Sequence, residues 1–106
     1  VKQTKVYFGG TTIGNSNALA ANNNWWVVQA LIIRTSATAQ KALCWVSNVT
    51  NEGNWSTAAG GNVNATTPAE TLSGNVVIRV TGQSTAVGTA NNVKAVLTVI
   101  YKLQAA

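Results

Sequence analysis

The run Trp25-Trp26-Val27-Val28-Gln29-Ala30-Leu31-Ile32-Ile33-Arg34-Thr35 constrains this chain more than any other stretch. It is long, rich in Val, Ile and Trp, and preceded by the turn-forming Asn22-Asn23-Asn24, so it reads as a β-strand. Successive side chains of a strand alternate between faces. Trp25, Val27, Gln29, Leu31 and Ile33 therefore share one face, and Trp26, Val28, Ala30, Ile32 and Arg34 share the other. Both faces are apolar, whereas a strand with one wet side alternates cleanly. A second cover is needed, and in a short chain the expected cover is a partner subunit. Trp26, Val28 and Ile32 are the candidate interface residues on this ribbon.

A chain of 106 residues makes one domain, residues 1–106. Its 14 Val, 14 Thr, 13 Asn and 9 Gly, against 6 Leu and no Met, favour pleated strands joined by turns. The 16 Ala are the one contrary signal, and many fall in loop-like stretches such as 18–21. Net charge is +5, but Lys2, Lys5, Arg34, Lys41, Arg79, Lys94 and Lys102 are scattered singly, without the aromatic-basic interleaving of a nucleic-acid platform. Lone lysines on strands are better explained as solubilising and edge-protecting, and no nucleic-acid partner is expected. Cys44 stands alone, which rules out an intrachain disulfide and a thiolate metal cluster. No apolar span is long enough to suggest membrane insertion and no signal peptide is recognisable. The chain opens on Val1 rather than Met, so a fragment or processed product is expected.

Along the chain, residues 1–8 alternate loosely, with Val6 and Phe8 on one face and Lys5 and Tyr7 on the other, followed by a Gly/Asn-rich turn region with a short strand near Thr12-Ile13. Residues 40–48 alternate again and, across Ser36-Ala37-Thr38, form an expected antiparallel hairpin with the long ribbon. Trp45, in phase with Leu43, is expected in the core. Residues 49–68 show no clear period. A loop of that length is either functional or conceals a short strand. A weak strand is expected at 70–72, and a stronger one at 75–81 with Val76, Ile78 and Val80 facing inward. A last strand over 93–103 carries Val96 and Ile100 on its nominally outer face, which adds both to the candidate interface. The whole is expected to be all-β, an antiparallel β-sandwich of jelly-roll type.

The chemical inventory argues against an enzyme. There is no His and no Asp, and Glu52 and Glu70 are the only acids. Two carboxylates can serve a glycosidase, but a solvated loop charge and an edge charge explain them more simply. No metal site and no cofactor are expected, since oxygen-ligand sites recruit several carboxylates and the Gly-Gly pairs do not sit in strand-to-helix turns. Cys44 reads as a small buried hydrophobe. Asn-x-Ser/Thr patterns at Asn48, Asn54 and Asn64 matter only along a eukaryotic secretory route. Trp55 is the more informative aromatic. It lies in the aperiodic region with Asn51, Glu52 and Asn54, and a ring flanked by amides suits the stacking and hydroxyl bonding that bind a sugar. The other reading is that Trp55 plugs an open end of the sandwich.

Three stretches together resemble the C-terminal domains of bacteriophage tail fibres, tailspikes and tail-needle proteins: Val6-Tyr7-Phe8-Gly9-Gly10-Thr11-Thr12-Ile13-Gly14, then Leu31-Ile32-Ile33-Arg34-Thr35-Ser36-Ala37-Thr38-Ala39-Gln40-Lys41, and finally Val80-Thr81-Gly82-Gln83-Ser84-Thr85 through Asn91-Asn92 to Val96-Leu97-Thr98-Val99. In that group a strand ending in Arg-Thr-Gly enters a tight turn before Gln-Lys; here Ser36 stands in place of the Gly. The resemblance implies a jelly-roll knob, usually a homotrimer, carried at the end of a longer virion protein. Its implied role is trimerisation and attachment to a host receptor, a surface polysaccharide or protein. A jelly-roll capsid decoration protein and a stand-alone carbohydrate-binding module are the alternatives. Doubly apolar strands disfavour the second, which should be monomeric.

Overall fold

The computed structural model describes residues 2–18, 25–49, 55–56, 61–84, 93–95 and 97–103. Within them the chain is all-β, with two antiparallel sheets in a sandwich-like arrangement and no helix. The first sheet has the order β2-β1-β7, from β1 (Lys2–Phe8), β2 (Thr11–Asn15) and β7 (Ile78–Ser84). The second is centred on β4 (Ala39–Val49), with β3 (Trp25–Ser36) on one edge and both β5 (Trp55–Ser56) and β6 (Asn62–Thr66) on the other.

The expected hairpin is present. β3 and β4 pair from Trp25↔Val49 to Ser36↔Ala39, with a register shift between Arg34 and Ser36. β6, with its polar sequence Asn-Val-Asn-Ala-Thr, is the short strand concealed in the aperiodic stretch. Residues 70–72 form no strand, and neither do the described residues of 93–103. Apolar alternation suits a segment to a sheet, but only an edge with free backbone groups makes it a strand.

The core is small. Val6, Phe8 and Ile13 come from the first sheet and Ala42, Cys44 and Val46 from the second. Partners across a ladder share a face, so the inward phase of β4 carries the inward phase of β3 with it. Trp26, Val28 and Ile32 accordingly pack half-buried against the core, while Trp25, Leu31 and Ile33 face outward. Leu43 and Trp45 also turn outward, opposite to the expected placing of Trp45 in the core. Period-2 alternation fixes which residues share a face. It cannot say which face is inside when both are apolar.

The sheets meet closely along β2, β4 and β6. Gly14 lies against Cys44, where a Cβ would come within 2.7 Å of the Cys44 Cβ. The backbone N–H of Asn15 donates to Asn64 Oδ1 at 3.1 Å, and Asn17 Nδ2 donates to the Gly61 carbonyl at 2.6 Å. A second fastening lies at Gln40, which is buried. Its Nε2 donates to the Glu70 carbonyl at 2.8 Å and its Oε1 accepts from the Glu70 N–H at 3.0 Å. The Glu70 carboxylate in turn accepts from the Gly10 N–H at 2.9 Å and from Thr11 Oγ1 at 3.1 Å. Gly9 permits this approach: its φ is +58°, and a side chain there would run into that carboxylate.

On the β3 and β7 side the sandwich gapes. An open cleft of about 2400 Å³ runs along β3 and β7, lined among others by Val28, Ile32, Ile78 and Val80. Ile78 and Val80 pair with Phe8 and Val6 and so face inward as expected, yet they are 39% and 47% exposed because the cleft is open. The described residues of 93–103 border the same cleft, with Val93 packed against Gly82.

Candidate functional site

The sugar-binding candidates Asn51, Glu52 and Asn54 lie outside the described residues. Trp55 falls in β5, where its backbone pairs with Val49. The carboxylate of Glu70 is occupied at the β1–β2 turn, which gives it a structural task that the sequence did not reveal. Among the described residues, no three of His, Cys, Asp or Glu gather closely enough to hold a metal ion. Cys44 is fully buried, and that burial pushes its thiol pKa up, so it remains protonated and inert at neutral pH. Asn48 is buried and Asn64 is engaged by Asn15, so neither side chain stands ready to carry a glycan.

The two sheets present different outer surfaces. That of the first sheet is polar, carrying Lys5, Tyr7, Arg79 and Gln83, with the Arg79 guanidinium 4.3 Å from the centre of the Tyr7 ring. That of the second is apolar. Register places Leu31 beside Leu43 and Leu43 beside Ala65, and likewise Gln29 beside Trp45 and Trp45 beside Val63. Trp25, Leu31, Ile33, Leu43 and Val63 there are between 42% and 60% exposed. The Trp45 indole N–H donates to Gln29 Oε1 at 2.6 Å. Lys41 is the one charged residue among the outward positions paired across β3, β4 and β6. A hollow of about 380 Å³, lined by Leu31, Ile33, Leu43 and Ala65, opens on this face. Exposed apolar side chains gathered on one face in this way are a feature that folded proteins ordinarily keep small or cover.

Of the expected interface residues, Trp26, Val28 and Ile32 lie on the inner side of this sheet, Ile100 is 60% exposed at the cleft, and Val96 lies outside the described residues. The more exposed apolar surface is the opposite face of the same ribbon. Its signal was present in the apolar odd-numbered positions, and only the phase was lacking. Comparison of the chain with protein-family models, with curated proteins and with solved structures finds no match.

Proposed function

We propose that this chain is a non-enzymatic virion domain of bacteriophage type that assembles as a homotrimer and attaches the particle to a host-surface glycan or protein. The observation that carries the assembly half is the outward face of the second sheet, where Leu31, Leu43 and Val63 stand in water with almost no charge among them. The viral half rests on the resemblance of the turn and strand pattern to tail-fibre and tailspike domains. The jelly-roll connectivity belongs to the same proposal.

Light scattering on the purified chain should return three times 11.0 kDa. Cell-binding and glycan-array measurements on the wild type and Trp55→Ala then test the attachment half, with binding expected for the first and weakened for the second. Saturable binding to empty capsids, without binding to cells or sugars, would identify a capsid decoration protein in its place. A stable monomer that binds sugar would point to a carbohydrate-binding module.

A further inference from the structure

The outer surface of the first sheet carries positive charge with no acid beside it. Register sets Tyr7 between Thr12 on β2 and Arg79 on β7, and sets Lys5 opposite Thr81 in the neighbouring outward row. Lys5 and Arg79 are therefore diagonal neighbours on one face, with Cα atoms about 7–8 Å apart. Thr12, Arg79 and Gln83 are exposed. Glu70, the one acid among the described residues, keeps its carboxylate at the β1–β2 turn, held by the Gly10 N–H and the Thr11 hydroxyl. We propose that this face binds an acidic polysaccharide, with Arg79 taking the carboxylate of a sugar, Lys5 attracting the anionic chain beside it, and Thr12 and Gln83 bonding its hydroxyls. The proposal rests on the glycan-attachment reading above, and adds the class of glycan and a surface for it apart from Trp55.

The way Arg79 is held supports this. Its guanidinium lies over the Tyr7 ring, 4.3 Å from the centre. The ring attracts the cation without offering a lone pair, so the N–H donors of Arg79 keep their capacity for a carboxylate. A side chain already held loses less freedom on binding, and its fork matches the two oxygens of a carboxylate. Charge complementarity selects an anion, because both charged residues among the outward positions of this sheet are cations. The charge is also sparse, which suits a sugar chain with one carboxylate per unit better than a densely charged phosphate backbone. A nucleic acid would further need bare aromatic faces for its bases, and the one aromatic among these positions is covered by Arg79.

The test is binding to polygalacturonate, a chain of carboxylate sugars, beside the same polymer with its carboxyls reduced to alcohols. The wild type should bind the first and not the second, and binding should weaken as salt rises. Arg79→Ala should weaken it roughly tenfold or more, as expected for losing hydrogen bonds to a charged group. Arg79→Lys should recover only part of the loss, since an ammonium lacks the fork. Arg79 is exposed, so circular dichroism of both variants should match the wild type. Equal binding to the reduced polymer, an Arg79→Ala variant that binds like the wild type, or tighter binding to single-stranded DNA or heparin would overturn this proposal and leave attachment to another glycan standing. A chain that binds neither cells nor any glycan would overturn both readings together. Should Arg79→Ala misfold, phenylglyoxal labelling of the wild type decides instead. Polygalacturonate should protect Arg79 but not Arg34, which lies on β3 in the other sheet; equal labelling of Arg79 with and without the polymer would overturn the contact.

Discussion

At the scale of single residues, close approach does much of the fastening. Gly14 faces Cys44 without room for a methyl group, so Gly14→Ala should cost about 1–3 kcal/mol of stability, the range for overpacking a core. Urea unfolding checks this, and Cys44→Ala in the same chain should recover part of the loss. Glu70→Ala should cost about 1–2 kcal/mol, because the Gly10 N–H and the Thr11 hydroxyl lose their acceptor. The raised pKa of Cys44 also has a signed consequence. The folded state holds the thiol proton more tightly than the unfolded state, so the stability this confers is complete below the ordinary pKa of 9.0 and is lost as pH climbs toward the folded value. Wild-type stability should therefore fall above about pH 9 more steeply than that of Cys44→Ala, measured by denaturant midpoint against pH. These contacts are invisible in a one-dimensional reading. A lone Glu and a lone Cys show no pattern until the fold sets Gly10 and Gly14 beside them.

At the scale of elements, the sequence disclosed the β3–β4 hairpin because alternation and a tight turn are local signals. It disclosed β1 and the inward side of Ile78 and Val80 for the same reason. The phase of the long ribbon was hidden because Trp, Val, Leu and Ile occupy both sides. β6 was hidden because Asn62, Asn64 and Thr66 carry little apolar signal while pairing with Val46, Cys44 and Ala42. Residues 93–103 illustrate the reverse case, with strong alternation and no ladder among the described residues. The phase now found makes a discriminating prediction. Ile32→Asp, on the inner face, should destabilise the chain itself by about 2 kcal/mol or more, since it sets a charge against the core. Leu31→Asp, one residue away on the outer face, should leave monomer stability within about 0.5 kcal/mol while lowering the mass seen by light scattering. Equal effects of the two on unfolding would contradict the assigned faces.

At the scale of the whole molecule, the contrast is between a polar outer surface on the first sheet and an apolar one on the second. An assembly held through the second sheet should draw little on charge, despite the net +5 of the chain. Its mass by light scattering should therefore be retained in about 1 M salt, where ionic contacts are screened beyond about 3 Å. Dissociation by salt would indicate an interface on the Lys5 and Arg79 side instead. The receptor candidates were legible only as residue types. Asn51, Glu52 and Asn54 fall outside the described residues and neighbour Trp55 in sequence.

The bond between Trp45 and Gln29 bears on what happens when water leaves. An indole carries one donor, and here that donor already has its acceptor on the same sheet, at 2.6 Å. Drying this face strands no hydrogen of Trp45, so an incoming partner need supply no oxygen to the indole and only has to meet the Gln29 amide N–H groups. Gln29→Leu would strand it, and the assembly should then weaken even though the face has become more apolar.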